Sequence, residues 1–297
     1  MVEIEDTFAE AFPMWVSRIL ITADSEKWAL TSARAATGFA VSVIMSPAEA
    51  GIEKTLSPEE TPDHRPGVLI HLYHSSGHWL KDQMLRRIGQ CVLTCPTTAV
   101  FDGMGDLAVK RLKIGGSLRY FGDGYQKRET MNGRTVWRIP VMEGEFIIEH
   151  RFGVKSGVAG GNFLILAESK EAALKAAEKV VETVSGMVDG VTMTFPGGVC
   201  RSGSKVGSLK YKLPASTNQL YCPTLRDIVS DTKIPENVKS VYEMIFNGLN
   251  LPSVKEAMKL GIESCLDIPG IIKISAANFG GKLGPYKVYL NKLGIKT

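Results

Sequence analysis

The chain has 297 residues, of which 44% are hydrophobic and 22% are charged, and this composition excludes a disordered protein. Its 35 basic and 31 acidic side chains give a net charge of +4 without any long basic block, so a dedicated nucleic-acid surface is not indicated. No apolar run approaches the ~20 residues that a membrane span needs, and the acidic start MVEIEDTFAEAF is not a signal peptide. Five cysteines without C-x-x-C spacing indicate a reduced, cytoplasmic compartment.

Strand-like and helix-like segments alternate through the first half of the chain. An apolar strand at 18–23 is followed by the helix-start residues Asp24 and Ser25 and by a helix that ends at Gly38. The other predicted elements of this half are strands at 39–45 and 67–73, a helix from Ser76 that carries Leu80, Met84 and Ile88, and extended segments at 91–94 and 98–102.

The second half repeats this order of elements. A strand at 162–169 continues into a helix, and the later elements are strands at 190–195, 241–249 and 270–278 and a helix with Pro252 in its first turn. When residues 19–30 are laid on 163–174, six of twelve positions are identical. The order β-α-β-β-α-β in both halves predicts an α+β fold of two ferredoxin-like (split βαβ) lobes related by duplication. We expect an N-terminal lobe at 1–145 and a C-terminal lobe at 146–297.

The middle of the chain, roughly 104–160, differs from both halves. Asn132-Gly133 stands between two strand-like segments, which is a strong hairpin signal. We therefore expect antiparallel strands inserted between the two lobes.

Several chemically suggestive motifs have ordinary explanations. The glycine-rich stretches GVAGGN, FPGGVCRSGSKVGS and NFGGKLG do not have the order of a phosphate loop, so they indicate turns or a site lined by backbone N–H groups. His71, His74 and His78 lack the spacing of a metal site, and Cys91 and Cys95 are better explained by packing. No G-x-S-x-G elbow or Cys/His pair supports a covalent acyl-enzyme.

Glu243 is the most informative single residue. Strand alternation places Val241, Glu243 and Ile245 on one face of VYEMIFNGL, opposite Tyr242 and Met244. Since both faces are mostly apolar, the strand should be covered on both sides. A carboxylate there is either half of a structural ion pair or a group with raised pKa suited to acid–base work.

Long blocks in order along nearly the whole chain resemble the formylmethanofuran:tetrahydromethanopterin formyltransferase family. They include EIEDTFAEAF, TGFAVSVIMSPAEAGIE, RIGQCVLTCPTTAVFD, YFGDGY, SGSKVGS, PASTN, YCPT, VYEMIFNGLN and KISAANFGGKLG. The resemblance implies an enzyme of archaeal one-carbon metabolism, such as methanogenesis, or of its methylotrophic bacterial counterpart. It also implies two coenzyme substrates, no bound metal or prosthetic group, and a homo-oligomer that is a dimer or a dimer of dimers.

The chemistry that the resemblance implies suggests candidate site residues. Glu243 fits the proton carrier and the resemblance favours it, and the glycine-rich blocks with Ser202, Ser204, Ser216 and Asn218 are expected to supply hydrogen-bond donors. Phe121 and Tyr125 are expected to pack either on flat substrate rings or in an aromatic core. Two other functions remain open: the homologous subunit of a bacterial formyltransferase/hydrolase complex, and a non-catalytic ferredoxin-like regulator that binds a ligand.

Overall fold

A computed structural model describes residues 2–296 as a mixed α+β protein. The α-helices in this part of the chain are α1 (Glu26–Thr37), α2 (Gly77–Arg87), α3 (Ile114–Leu118), α4 (Lys170–Val184) and α5 (Leu251–Cys265). The strands are β1 (Glu3–Ile4), β2 (Phe8–Thr22), β3 (Glu49–Leu56), β4 (Gly67–His74), β5 (Ala99–Asp102), β6 (Lys110–Leu112), β7 (Lys127–Met131), β8 (Arg134–Val141), β9 (Gly144–Glu149), β10 (Phe152–Ala167), β11 (Val191–Thr192), β12 (Val199–Cys200), β13 (Ser204–Val206), β14 (Ala215–Thr217), β15 (Ser240–Gly248), β16 (Ile271–Ser275) and β17 (Tyr286–Tyr289).

The chain forms two compact units, which consist of residues 14–157 and of residues 1–13 together with 158–297. We call them the first unit and the second unit. The boundary between the units therefore lies after Gly157, and β1 together with the first residues of β2 belongs to the second unit. The boundary between residues 145 and 146 that the sequence suggests therefore stays a prediction.

The first unit contains an antiparallel sheet in the order β5-β2-β4-β3. Helices α1 and α2 cover one face, where Ala29, Ala33 and Met84 share a buried cluster with Ile21 and Ile70. Strand β9 pairs parallel to β5, and β8 and β7 continue from it as an antiparallel meander. The Asn132-Gly133 turn joins β7 to β8, as the sequence predicted.

The second unit contains a similar antiparallel arrangement, in which β16, β10 and β15 are neighbours in that order. Both β11 and β12 pair with the far edge of β15. Helices α4 and α5 cover one face through a cluster that includes Phe163, Val180, Phe246 and Met258. The opposite face carries a smaller cluster of Leu164, Leu166, Tyr221, Ile234 and Val238.

The ends of the main helices follow capping rules. Ser169 precedes α4 and accepts a hydrogen bond from Ala172 N at 3.0 Å, and Asn250 precedes α5 and accepts one from Ser253 N at 2.9 Å. Such caps satisfy backbone donors that have no partner inside the helix. Pro252 lies in the first turn of α5, where a missing N–H costs nothing.

Three local predictions were wrong. The segment 39–45 is a loop, because Phe39 has a φ of 46° and Ser46 N and Oγ both donate to Ser42 O. Residues 91–94 are not extended, because a π-helical turn at Ile88–Val92 continues α2 and residues 93–94 form a turn; Leu93 N donates to Ile88 O at 2.9 Å. The single strand predicted at 190–195 is only the short β11, and a loop separates it from β12.

No helix within residues 2–296 has the length and hydropathy to cross a membrane.

Candidate active site

Strand β15 places Glu243 at the centre of the sheet in the second unit. Glu243 lies opposite Leu164 of β10 on one side and opposite Cys200 of β12 on the other. Its side chain is 8% exposed, whereas Met244 and Phe246 belong to the core cluster against the helices. The predicted alternation and two-sided covering of this strand are therefore present.

The environment of Glu243 favours its neutral form. Burial raises the pKa of Glu243 to about 7, and a hydrogen bond from the Cys200 thiol acts in the opposite direction. No lysine or arginine in the described part of the chain forms an ion pair with this carboxyl group. A carboxyl group that titrates near neutral pH can both give and accept a proton.

A chain of hydrogen-bonding groups leads from Glu243 toward the surface. The Cys200 thiol lies 3.4 Å from Ser202 Oγ, and Ser202 Oγ lies 3.3 Å from Ser204 Oγ. Both serines are exposed, while Cys200 is buried. Burial and then the neighbouring Glu243 charge raise the pKa of the Cys200 thiol, so Cys200 is a protonated thiol at neutral pH.

Glu243 lines a cavity of about 140 Å³ in the second unit. Strands β10, β12 and β15, the segment after β12 and the segment 218–224 form the cavity wall. The lining residues are Leu164, Cys200, Arg201, Ser202, Gly203, Asn218, Tyr221, Cys222, Pro223, Thr224, Val241 and Glu243. Tyr221 is held in place because its hydroxyl group lies 3.1 Å from Ser275 Oγ. The wall thus combines hydroxyl, thiol and amide groups around one protonatable carboxyl group.

A glycine turn positions β12 beside Glu243. Gly198 directly precedes β12 and has a φ of 81°, a conformation that residues with a Cβ rarely adopt. A Cβ at this position would also lie 2.7 Å from a Val181 methyl carbon of α4. The FPGG stretch is therefore a turn with close backbone packing, and it brings Cys200 to the cavity.

The structure brings together some of the predicted site residues of the second unit. Ser202 and Asn218 line the Glu243 cavity, and Ser204 is one hydrogen bond further from it. Ser216 does not line the cavity, because it lies on β14 and donates to Gly207 O at 2.7 Å.

Phe121 and Tyr125 belong to the first unit and are 63% and 77% exposed. Phe121 lines a different cavity of about 1030 Å³ together with Leu93, Pro140 and Met142. Packing of these two rings on a substrate stays a prediction.

Sequence reasoning missed Cys200, Tyr221 and Cys222, although all three line the cavity. A signal was present, because they fall in the blocks FPGGVCRSGS and YCPT. Only the pairing of β12 with β15 and the contact of Tyr221 with Ser275 connect these blocks to Glu243.

The histidines considered for metal binding have other partners. His71 Nε2 lies 2.8 Å from Glu53 Oε2, and His71 Nδ1 lies 2.7 Å from the Tyr73 hydroxyl group. His74 Nδ1 accepts from Ser76 N at 2.9 Å. Residues 2–296 contain no group of three or more His, Cys, Asp or Glu side chains that could hold a metal ion.

A buried carboxyl group whose pKa is raised to about 7, in a cavity lined by neutral hydrogen-bonding groups, is the kind of site that can give and accept protons during group transfer. The family profile described as formylmethanofuran-tetrahydromethanopterin formyltransferase matches residues 1–141, and the profile described as the proximal lobe of that family matches residues 144–293. The chain therefore belongs to the formylmethanofuran–tetrahydromethanopterin formyltransferase family, and it is an enzyme that transfers formyl groups.

Individual relatives are similar in sequence to this chain over almost its whole length. The proteins named formylmethanofuran–tetrahydromethanopterin formyltransferase from Methanocaldococcus jannaschii and Methanopyrus kandleri are 56% and 55% identical, with 98% of each chain covered. The solved formyltransferase from Methanosarcina barkeri is 50% identical with a TM-score of 0.95 and 98% of both chains covered. A chain of the formyltransferase/hydrolase complex from Methylorubrum extorquens, solved with methylofuran, is 42% identical with a TM-score of 0.95, covering 100% of this chain and 98% of that one.

Proposed function

We propose that the chain transfers the formyl group of formylmethanofuran to N5 of tetrahydromethanopterin, the two coenzymes that the names of its relatives specify. The observation that carries the proposed mechanism is the buried Glu243, whose pKa burial raises to about 7. Both coenzymes act as substrates, and the chemistry calls for proton transfer and oriented hydrogen bonds.

The reaction breaks an amide bond and forms another. N5 attacks the formyl carbon, and the resulting tetrahedral intermediate carries an oxyanion. N5 loses its proton, and the leaving amine nitrogen gains one. Glu243 as a carboxylate accepts the N5 proton, and as a carboxylic acid it protonates the leaving amine. Hydroxyl and amide groups of Ser202 and Asn218 orient the formyl oxygen.

We propose direct transfer rather than transfer through a formyl-thiol intermediate. Cys200 is the nucleophile nearest to Glu243, but burial and the Glu243 charge raise its pKa. A thiol is a poor nucleophile compared with a thiolate. A formyl-enzyme should therefore be absent from mass spectra of the enzyme quenched during turnover, and a formylated Cys200 would contradict direct transfer.

The chain Cys200–Ser202–Ser204 gives Glu243 a route for proton exchange with solvent when substrates fill the cavity. An amine released in its ammonium form takes up one proton beyond the one that N5 supplies. Each step of the route is a hydrogen bond: from the Cys200 thiol to Glu243, and then 3.4 Å and 3.3 Å between the next pairs of atoms. In this proposal Cys200 relays protons to and from the Glu243 carboxyl group, and Ser202 continues the relay in addition to orienting the formyl oxygen.

The finer fold assignment also belongs to this proposal. The order β5-β2-β4-β3 of the first unit and the order β16, β10, β15, β11/β12 of the second unit both correspond to the ferredoxin-like order 4-1-3-2. We propose that the two units are duplicated ferredoxin-like lobes, with the β7-β8-β9 meander added between the repeats. We keep the homo-oligomer, at least a dimer, as a prediction, and the five free cysteines support a cytoplasmic location.

A second candidate function has its own support. The Methylorubrum extorquens chain at 42% identity belongs to a formyltransferase/hydrolase complex, so the present chain is alternatively a subunit that works beside hydrolase partners. Family membership sets aside the non-catalytic regulator, because the relatives are named as formyltransferases.

The deciding experiment is a formyl-transfer assay with the purified chain and both coenzymes. We expect turnover without another polypeptide, and loss of that turnover in Glu243→Gln. A pure, folded chain that becomes active only when hydrolase subunits are added would favour the second candidate. No transfer under either condition would contradict the proposed function.

A further inference from the structure

A second cavity, of about 610 Å³, lies in the first unit and is bordered by the turn between β7 and β8 and the end of β9. Thr135 and His150 line it together with four arginines and two carboxylates. The charged residues are Arg111, Arg128, Arg134, Arg151, Asp102 and Glu149. The proposed formyl transfer assigns no role to any of these residues.

Two of the arginines are fixed in place by carboxylates that are themselves buried. Arg111 Nη1 donates to Asp102 Oδ2 at 2.8 Å, and Arg134 Nη1 donates to Glu149 Oε2 at 2.7 Å. Asp102 is 3% exposed and Glu149 is 8% exposed. Backbone N–H groups also donate to both carboxylates, for example Gly153 N to Asp102 at 2.8 Å. The two guanidinium groups are therefore held in position before any ligand arrives.

The other two arginines have no such compensation. Arg128 and Arg151 are exposed, and neither side chain has a hydrogen bond or an ion pair to any described residue. Arg138, on the same meander, is by contrast paired with Glu129 and Glu145. Four guanidinium groups against two carboxylates leave the cavity with an excess of two positive charges.

His150 adds a neutral donor to this cavity. Its Nδ1 accepts from Trp137 Nε1 at 2.9 Å, and because indole only donates, the neutral imidazole carries its proton on Nε2. Burial, and then the positive charges of Arg128, Arg151 and other cations, lower the pKa of His150. The imidazole is thus an uncharged N–H donor in a cationic surrounding.

From the fixed and the unpaired arginines in one cavity, we infer that this cavity binds a small organic polyanion, that is, a phosphate ester or a molecule with two or more carboxylates. Planar guanidinium groups bind phosphate and carboxylate oxygens through paired N–H donors. A cavity of this volume accommodates a molecule rather than a lone ion. The anionic group belongs either to one of the coenzyme substrates or to a free effector, and the chemistry of recognition is the same.

Calorimetric titration of the full chain at low ionic strength tests the site, with citrate and inorganic phosphate as probes and acetate as a monoanion control. We expect citrate to bind more tightly than phosphate and acetate not to bind. Arg128→Gln/Arg151→Gln should weaken citrate binding at least about tenfold, since each charge-assisted hydrogen bond contributes about that much. Both arginines are exposed and unpaired, so this variant should keep the wild-type Tm.

Arg34→Gln/Lys81→Gln is the matched control, because it removes two exposed positive charges from α1 and α2 of the same unit. It should leave the Kd for citrate within about twofold of wild type. No citrate binding by the wild type, or equal weakening in both double variants, would overturn the site.

Proton NMR of the histidine rings gives an independent readout. Bound citrate should raise the pKa of His150, because it offsets the charges of Arg128, Arg151, Arg119 and Lys113 that now lower it. An unchanged His150 titration under saturating citrate would place any binding elsewhere and contradict the inference.

Kinetics then distinguish the two sources of the anion, and this arm alone rests on the proposed function. Citrate that competes with one coenzyme, together with a raised KM for that coenzyme in Arg128→Gln/Arg151→Gln, assigns the anionic group to that substrate. Citrate that changes kcat without competing assigns the site to a free effector. If formyl transfer itself were absent, calorimetry and NMR would still decide whether the anion site exists.

Discussion

Replacing Glu243 with Gln keeps the size of the side chain and its hydrogen-bonding capacity but removes proton transfer. General acid–base catalysis contributes typically ~10²–10⁴-fold, so we expect kcat to fall by about that factor. Binding of both coenzymes should persist, because the amide preserves the cavity shape. The loss should therefore appear in kcat rather than in KM.

The same substitution should stabilise the folded state at neutral pH. Burial raises the pKa of Glu243 from 4.5 to about 7, so the folded state binds the proton more tightly than the unfolded state. The contribution of Glu243 to wild-type stability is therefore fully present below pH 4.5 and is lost as the pH rises toward 7. A shift of this size corresponds to about 3 kcal/mol. The glutamine side chain does not titrate, so the unfolding free energy of Glu243→Gln should gain about that much relative to wild type between pH 4.5 and 8.

Urea unfolding at a series of pH values, beside steady-state kinetics on the same preparations, measures both effects. Glu182→Gln is a suitable control, because Glu182 pairs only with Lys179 on the exposed side of α4; it should change neither quantity. A variant with near-normal kcat and lower stability at neutral pH would mean that Glu243 is half of a structural ion pair. That result would refute its role as proton carrier.

Four further outcomes are expected. Cys200→Ala removes a hydrogen bond that lowers the pKa of Glu243, so the acid limb of its kcat–pH profile should move to higher pH, whereas Cys200→Ser should keep the wild-type profile. An acid limb that does not move in Cys200→Ala would contradict the contact. Burial opposes ionisation of Glu53, but His71 and Arg18 outweigh it and lower its pKa to about 2. The contribution of Glu53 to wild-type stability should therefore fall by on the order of 3 kcal/mol as the pH drops from 4.5 to 2, and urea unfolding of Glu53→Gln should lack this loss. Formyl transfer should survive EDTA, since residues 2–296 offer no cluster of metal-binding side chains; inactivation that a metal ion reverses would count against this. Light scattering should give at least a dimer at working concentration, and a monomer would contradict the predicted assembly.

Much of the fold could be predicted, because periodic apolar patterns and caps are local signals. The helix that became α4 was predicted from KEAALKAAEKVVETV, and the structure has it at Lys170–Val184. The strand predicted at 39–45 failed because apolar content alone does not distinguish a strand from a loop. There, a positive φ at Phe39 and the Ser42–Ser46 hydrogen bonds determine the chain path. Such tight turns depend on side-chain to backbone contacts that periodicity does not reveal.

The candidate site, like the fold, could be predicted from the sequence only in part. Alternation in β15 predicts the buried position of Glu243, since this follows from one strand and its apolar neighbours, whereas the sequence leaves a raised pKa and a structural ion pair as alternatives. Cys200 could not be predicted as its partner, because the contact depends on the pairing of β12 with β15, across 43 positions of sequence. Ser202 was expected from its block, but its hydrogen bond to Cys200 is likewise a result of tertiary structure.

The proposed internal repeat allows equivalent strand positions of the two units to be compared. In the second unit, Leu164 of β10 lies opposite Glu243 of β15. Leu20, the counterpart of Leu164 in the repeat, lies opposite Leu69 of β4 in the first unit. Leu69 is buried in an apolar cluster with Leu20 and Phe101, and no protonatable group occupies that position. Because burying a carboxyl group costs free energy, its presence in only one of two similar strands agrees with the proton-carrier role proposed for Glu243.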